Sequence, residues 1–397
     1  MQGADLSRVV RHVGPAGPFG PADAAPDPRL HAEPARSRTV RHVLMTADAV
    51  GGVWRYTIDL GRALAARGVR TTVAVMGPFP SPSQRREGEA AGLAILDRSF
   101  RLEWMENPWD DVRRAGGWLL ALERALLPDV VHLNGYAHAA LEWRAPVVVV
   151  AHSCVRSWWR AVKGEEAPAR FKEYREAIAA GLLAARVVIA PTAAMLRALE
   201  EEYGPALRAR VIPNGCMVAG GHAEPFWGAK EEVVLSAGRA WDEGKNIAAL
   251  CAVAGQLSWP VCVAGEARAP EAPSCELPGV RRLGHLPAPE LAGWYRRAAI
   301  YALPARYEPF GLSVLEAASA GCALVLGDIP SLRENWSDAA TFVDPNDGPA
   351  LGAALEDLIS NPVRREDLAR RAWARSLRFT IDRTADEYLK TYEDLLG

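Results

Sequence analysis

Short apolar runs alternate along this chain with longer segments in which apolar residues recur at helical spacing. The runs lie at 40–46, 69–76, 129–134, 146–151 and 186–190, and again at 232–237, 260–266, 299–304 and 322–326. Runs that are apolar at nearly every position are typical of parallel strands in a sheet that helices cover on both faces. The pattern therefore predicts an α/β protein in which strands alternate with helices.

Helical spacing fills most of the chain between these runs. It predicts helices at 54–66, up to about 127, 171–185, 192–203, 348–360, 362–377 and 381–396. Thr192 is expected at the N-cap of one of them, because its side-chain oxygen can accept a backbone N–H. The polar segment 81–87 and the segment 155–166 are interpreted as loops.

Length and composition narrow the class of protein. A chain of 397 residues suggests two or three domains. The formal net charge of −2 gives no reason to expect nucleic acid as a partner. No apolar run approaches the ~20 residues that a membrane helix needs, although a peripheral membrane contact stays open. Residues 1–38 are rich in Ala, Pro, Gly and Arg and are predicted to be a disordered tail without a secretory signal.

The six cysteines are scattered along the chain, and no pair has metal-ligand spacing. We interpret them as reduced thiols of a cytoplasmic enzyme. No cofactor is expected. The sequence gives no indication of the oligomeric state.

The segment 306–322 predicts a loop between a strand and a helix that binds an anion. Gly311 allows a close backbone approach, and the N–H groups of Leu312 and Ser313 would open the helix toward phosphate. Glu308 and Glu316 flank these residues, and a carboxylate suits a diphosphate ligand only if it binds hydroxyl groups. The combination fits a ligand with both phosphate and polyol, such as a nucleotide sugar, and it fits two glutamates on an ordinary surface loop equally well.

Three further places in the chain fit such a ligand. Gly51 and Gly52 lie between a strand and a helix, where they form either a backbone anion pocket or a simple tight turn. Arg239 and Lys245 lie between a later strand and helix and are natural partners for a diphosphate, unless they are a solvated basic pair. His152 follows the strand at 146–151, where a histidine is either structural or in reach of a ligand.

The string Tyr-Glu-Pro-Phe-Gly-Leu-Ser-Val-Leu-Glu-Ala at 307–317 resembles the signature of retaining GT-B glycosyltransferases. This group includes bacterial mannosyltransferases and sucrose synthases. The Gly-Arg pair at 238–239 with Lys-Asn at 245–246 is similar to the diphosphate clamp of the same family. The resemblance covers roughly residues 40–397.

The resemblance implies two Rossmann-like domains that face each other across a cleft. We expect an acceptor-side domain at 39–218, a linker at 220–230 and a nucleotide-sugar-binding domain at 219–380, with a terminal helix at 381–397 that packs back on the first domain. The family's catalytic positions map onto His152, Arg239, Lys245 and Glu308. Its donor-binding positions map onto Gly51, Gly52, Arg239, Lys245, His285, Glu308, Phe310, Gly311, Leu312, Ser313 and Glu316.

The implied activity is retaining transfer of a hexose to a saccharide or another hydroxyl-bearing acceptor. UDP-glucose is the first expectation for the donor and GDP-mannose the second. The chain contains no Asp-x-Asp, and so no metal is expected at the diphosphate. The alternatives are an epimerase or a phosphorylase of the same fold and a nucleotide-sugar-binding protein without turnover. His132 and His138 are expected to be structural or acceptor-side residues, and Trp158 and Trp159 either line an acceptor site or anchor their loop.

Overall fold

The structure is a computed structural model and describes residues 39–205, 208–217, 230–268 and 275–397. Seven parallel strands form a first sheet in the order β3-β2-β1-β4-β5-β6-β7. They are β1 (His42–Asp48), β2 (Arg70–Met76), β3 (Ala94–Asp97), β4 (Val130–Leu133), β5 (Val147–Val150), β6 (Val187–Ala190) and β7 (Ala209–Val211). Its central strands are buried on both faces because their apolar side chains alternate toward two helical layers.

Six helices accompany this sheet. They are α1 (Gly52–Ala65), α2 (Pro82–Ala90), α3 (Trp109–Leu126), α4 (Val155–Lys163), α5 (Lys172–Ala184) and α6 (Ala193–Tyr203). The expected cap of α6 is present, since the Thr192 hydroxyl accepts the Met195 N–H at 3.0 Å.

Six further parallel strands form a second sheet in the order β10-β9-β8-β11-β12-β13. They are β8 (Glu231–Ala237), β9 (Val261–Ala264), β10 (Arg281–Gly284), β11 (Ala298–Leu303), β12 (Ala323–Gly327) and β13 (Thr341–Val343). The accompanying helices are α7 (Ile247–Ala254), α8 (Ala288–Arg297), α9 (Leu312–Ser319), α10 (Pro330–Trp336), α11 (Gly348–Ser360) and α12 (Pro362–Ser376). In both sheets the strand order reverses beside the first strand, which places a ligand crevice at the carboxyl ends.

The last helix, α13 (Ile381–Leu396), packs against the first sheet and α1. Tyr388 and Tyr392 are fully buried there with Tyr56 of α1. The Arg210 guanidinium bonds the Asp394 carboxylate at 2.8 Å and ties the helix to β7. The tail at 1–38, the boundary near 218 and the linker up to 229 lie outside the described residues, and the domain bounds stay a prediction.

Two segments interpreted as loops are helices, and those two interpretations were wrong. The α2 segment has no apolar stripe, but Ser81 and Gln84 form a reciprocal capping box at its start. The α4 segment is held from outside itself, because Arg156 and Arg160 both bond the buried Glu202 carboxylate of α6, at 2.8 and 2.7 Å. The capping box of α2 leaves no apolar period, which is why the periodicity overlooked that helix. In α4 the apolar residues Val155, Trp158, Trp159 and Val162 do recur at helical spacing, and the sequence reading overlooked them.

Within the described ranges, no helix is long and apolar enough to cross a membrane.

Candidate active site

The carboxyl ends of the two sheets face a cleft of about 2170 Å³. The structure brings every predicted catalytic and donor-binding residue to the wall of this one cleft. We call the side formed by the first sheet and its loops the first wall, and the side formed by the second sheet the second wall. Their residues come from the ends of β1, β4 and β5 on the first wall and of β8, β10 and β11 on the second.

The loop from β11 into α9 shapes the second wall. Gly311 caps α9 with a φ of 90°, and a Cβ there would lie 3.1 Å from the Val314 Cγ2 atom, so that a glycine is required. The Gly311 N–H donates to the Glu308 Oε1 atom at 3.0 Å, and the other carboxylate oxygen pairs with the Lys245 ammonium. The two charges predicted to face a ligand therefore hold each other next to a helix N-terminus.

Three other predicted residues of this loop contribute in different ways. The Phe310 ring is buried and its centroid lies 5.7 Å from that of the Phe379 ring. The Ser313 hydroxyl accepts the Tyr301 O–H at 2.8 Å. Leu312 reaches the first wall, since a Cβ on Gly52 would lie 3.9 Å from its Cδ1 atom.

Arg239 lies in the loop between β8 and α7, and its side chain extends across the cleft to Gly51 of the first wall. Its Nη2 atom is 2.9 Å from the Asp242 Oδ2 atom, and a Cβ on Gly51 would lie 3.5 Å from its Cδ atom. The second Asp242 oxygen accepts the Trp158 indole N–H of α4 at 3.0 Å. Burial alone would raise the pKa of Asp242, but Arg239 and Lys245 outweigh it and hold that pKa below its ordinary value. Asp242 thus acts as the anionic partner of the clamp, a role that the sequence reading missed although the residue lies between the two cations.

His152 stands at the end of β5 and is bonded to Asn134 at the end of the neighbouring β4. The Asn134 amide nitrogen donates to the Thr46 carbonyl at 2.7 Å, which turns its Oδ1 atom toward the His152 Nε2 atom at 2.9 Å. Since a carboxamide oxygen only accepts, His152 carries its proton on Nε2, and its Nδ1 atom is an acceptor. Burial, with His132 nearby, lowers the pKa of His152 to about 3, so that the imidazole is neutral.

The same Asn134 oxygen lies 3.1 Å from the Nε2 atom of His132, whose Nδ1 atom is 2.6 Å from the Tyr392 hydroxyl of α13. A chain of buried hydrogen bonds therefore joins the last helix to His152. His132 is fully buried in this chain of hydrogen bonds and therefore has the structural role that was one of its two expected roles. His138 is also buried, and its Nε2 atom is 3.0 Å from the Val112 carbonyl oxygen. The sequence did contain an indication of the role of Asn134. The residue directly follows β4, and β4 lies next to β5, the strand that ends before His152.

Glu316 meets a cation that the sequence reading did not identify. Its Oε1 atom is 3.7 Å from the Arg55 Nε atom of α1, and the same Nε atom is 2.9 Å from the Asp59 carboxylate. Burial raises the pKa of Glu316 to about 7 although Arg55 opposes the shift, and burial likewise raises the pKa of Asp59 to about 6. Arg55 also contacts Glu87 of α2 at 3.3 Å, and so one guanidinium connects α1, α2 and α9.

His285 lies at the rim of the cleft, where its side chain is 68% exposed and its Nδ1 atom is 3.9 Å from a Glu266 oxygen. It is not part of the network around Glu308. No group of three or more His, Cys, Asp or Glu side chains in the described part of the chain is arranged to hold a metal ion.

Comparisons with known proteins agree with this architecture. Residues 50–218 match the family model described as Glycosyltransferase Family 4, and residues 222–375 match the one described as Glycosyl transferases group 1. A glycogen synthase of Mycobacterium tuberculosis (strain H37Rv) is 30% identical over 381 residues, covering 84% of this chain and 87% of that protein. A D-inositol 3-phosphate glycosyltransferase of Paenarthrobacter aurescens is 37% identical over 112 residues, 28% of each chain.

Solved structures show the same fold at low sequence identity. A sucrose-phosphate synthase from Thermosynechococcus elongatus superposes with a TM-score of 0.72 at 19% identity, covering 89% of this chain and 99% of that one. The Anabaena protein HepE in complex with UDP and glucose gives 0.68 at 16% identity, with coverage of 89% and 99%. Two parallel sheets facing one cleft, with these neighbours, define the GT-B fold.

The chain belongs to the GT-B glycosyltransferases of the family 4 type. The fold and the family predicted from the motif at 307–317 are both confirmed.

Proposed function

We propose that this glycosyltransferase transfers a hexose from a nucleoside diphosphate hexose to a saccharide or another hydroxyl-bearing acceptor, with retention at the anomeric carbon. UDP-glucose is the first candidate for the donor and GDP-mannose the second. The observation that carries the proposal is the convergence of Arg239, Lys245 and the N-terminus of α9 on one cleft.

Departure of a nucleoside diphosphate develops negative charge that fixed donors must stabilise. Arg239 and Lys245 supply two cations, and the N–H groups at the start of α9 supply the positive end of a helix dipole. A diphosphate would take the place that the Asp242 and Glu308 carboxylates now occupy beside these cations. Since this set of groups can neutralise the leaving group, the proposed reaction needs no metal ion.

The carboxylates would then bind hydroxyl groups. Glu308, released from Lys245, would accept hydrogen bonds from the donor sugar, and Glu316 would accept them from the ribose. His152 would lie at the sugar with its Nδ1 atom as an acceptor for a hydroxyl. In this proposal the donor lies mainly on the domain at 219–380, and the acceptor on the domain at 39–218 that the terminal helix completes.

Retention is proposed from the family resemblance and from the charges of the site. A double displacement needs a carboxylate nucleophile at the reacting carbon. The neutral His152–Asn134 pair at the first wall offers none, which favours substitution on one face of the sugar with the leaving phosphate as the base.

The experiment is a thermal unfolding panel with UDP-, GDP- and ADP-hexoses, followed by turnover with each donor that binds. A donor at ~100 times its dissociation constant should add about 2.7 kcal/mol to the free energy of unfolding. NMR of the anomeric signal of the product then reports retention, and assays with and without EDTA report the need for a metal. If no donor of the panel stabilises the protein or is consumed, the proposal is refuted, and an inverted anomeric signal would refute its stereochemistry.

A further inference from the structure

The loop between β3 and α3 places Glu103 and Trp104 on the first wall, where neither residue has a role in donor binding. Both lie on the acceptor side of the cleft if the proposed function holds, and the inference below rests on that function. The question is which chemical class of acceptor these side chains fit.

Backbone groups hold the Glu103 carboxylate in place. Its oxygens accept the Tyr136 N–H at 3.1 and 3.2 Å and the Ala137 N–H at 2.9 Å. Among the described residues, no Lys or Arg pairs with it. It lies directly over Gly135, where a Cβ would be 3.5 Å from its Oε1 atom, and so it is next to Asn134, the partner of His152. The carboxylate is therefore oriented by two N–H groups of the segment that follows Asn134.

A small recess of about 50 Å³ adjoins the cleft at this point. Asp48, Glu103, Trp104 and Asn134 line both the recess and the cleft. The Asp48 Oδ1 atom accepts the Val50 N–H at 2.8 Å, and burial raises the pKa of this carboxyl to about 6. Arg101 also lines the recess, and its Nη1 atom donates to the Glu106 carbonyl at 2.6 Å. A recess of this volume is large enough for a water-sized group such as a hydroxyl.

Trp104 supplies an apolar surface beside these acceptors. Its ring packs on the first-domain core while lining the cleft. An indole face next to carboxylate oxygens matches a sugar ring, which has C–H groups on its faces and hydroxyls at its edge.

Arg101 is a cation at the recess, and its guanidinium is bonded to the Glu106 carbonyl. Arg55, Arg62 and Arg86 line the cleft but not the recess. Arg55 and Arg62 both lie near the buried Asp59 carboxylate, at 2.9 and 3.9 Å. Arg86 lies on α2 with an exposed side chain. A phosphorylated acceptor that entered the recess would place its charge against Asp48 and Glu103, which costs free energy because like charges repel.

We propose that Glu103 and Trp104, together with Asp48, form an acceptor subsite that selects a neutral polyhydroxylated acceptor, a saccharide or polyol without a phosphate group. Glu103 binds an acceptor hydroxyl through its free lone pairs, and Trp104 packs on the ring.

The test uses the full chain with the donor identified above and matched acceptor pairs, namely glucose, mannose and myo-inositol against their monophosphates. Donor consumption is measured without acceptor, to give the slow transfer to water, and then with each acceptor. We expect at least one neutral acceptor to accelerate donor consumption and its monophosphate to do so less.

Glu103→Gln should then raise the acceptor KM by about tenfold or more, because a hydrogen bond to a charged acceptor is lost. Glu106→Gln in the same loop, with an exposed side chain, is the matched control. Trp104→Ala should also raise the acceptor KM, and Trp104→Phe should restore most of the affinity.

Three outcomes would overturn the subsite. They are a preference for monophosphates that Arg86→Ala abolishes, an unchanged acceptor KM in Glu103→Gln, and no acceleration by any neutral acceptor. If the donor neither binds nor reacts with water, the proposed function itself fails, and the two failures are thereby distinguished.

Discussion

The two walls of the cleft differ in how their polar groups are held in place. On the second wall, Arg239 and Lys245 are each held by a carboxylate, Asp242 and Glu308. On the first wall, the His152 imidazole is neutral, and it is held by a hydrogen bond to Asn134. A half-buried cation is costly to desolvate unless a counter-charge accompanies it, whereas a neutral imidazole needs only a fixed partner.

The difference indicates how each wall is prepared for a ligand. The ion pairs of the second wall keep the cations ordered, and an incoming diphosphate can replace the carboxylates without leaving either cation unpaired. The hydrogen bonds of the first wall fix one tautomer of His152 and leave its Nδ1 atom as an acceptor. The cations of the second wall can therefore change from carboxylate to phosphate partners, whereas the hydrogen bonds of the first wall stay the same when a ligand binds.

Removing a cation from the second wall should have the largest effect. Lys245→Ala is expected to lower kcat by about 100-fold or more, since a fixed donor to the developing charge is lost. The measurement is steady-state turnover of the donor, with thermal unfolding as the check that the variant is folded. Lys163→Ala is the matched control, because Lys163 pairs with Glu243 of the same loop at 2.6 Å without lining the cleft. Near-normal turnover in Lys245→Ala would rule out the clamp.

Removing the fixed partner on the first wall should have a smaller effect. Asn134→Ala is expected to lower kcat by about tenfold, because the His152 ring loses the acceptor that fixes its tautomer. The donor KM should change less than kcat, since the second wall is intact.

Asn361→Ala is a suitable control for that variant, because Asn361 caps α12 far from His152 and its loss should cost about 1 kcal/mol of stability. If both variants lose the same stability and neither loses kcat, Asn134 has only a structural role.

The smallest effect is expected from removing the Glu316 carboxyl, which lies beside Arg55 where the two walls meet. This effect should be on stability. Burial raises the pKa of Glu316 to about 7 from its ordinary value of 4.5, in opposition to Arg55. Between about pH 5 and 7 the folded chain holds a proton that the unfolded chain has lost, and so this group's contribution to the free energy of unfolding falls as pH rises.

Glu316→Gln removes that titration. Its stability relative to the parent protein, measured by urea unfolding of the ligand-free protein from pH 5 to 8, should therefore increase with pH. Glu290→Gln on the exposed start of α8 is the control. A difference that stays flat, or that declines with pH, would contradict the assigned environment of Glu316.

Much of the secondary structure and two loops of the cleft could be predicted from short stretches of the sequence. The strands and most helices follow from apolar periodicity, because burial on one or two faces imposes it locally. The loop at 307–317 and the Arg239–Lys245 clamp are equally local, since each uses a backbone turn and a helix start built from neighbouring residues. That is why the resemblance at these places identified the fold and the family, and why all the predicted residues line one cleft.

Other features exist only once distant segments meet. Tyr392 reaches His132 across 260 positions, and Arg55 meets Glu316 only because α1 and α9 face each other across the cleft. Arg156 and Arg160 of α4 likewise meet the Glu202 carboxylate of α6 only across 46 and 42 positions. A hydrogen bond or an ion pair depends on distance and direction in space, and no residue pattern along the chain records these until the two sheets are packed.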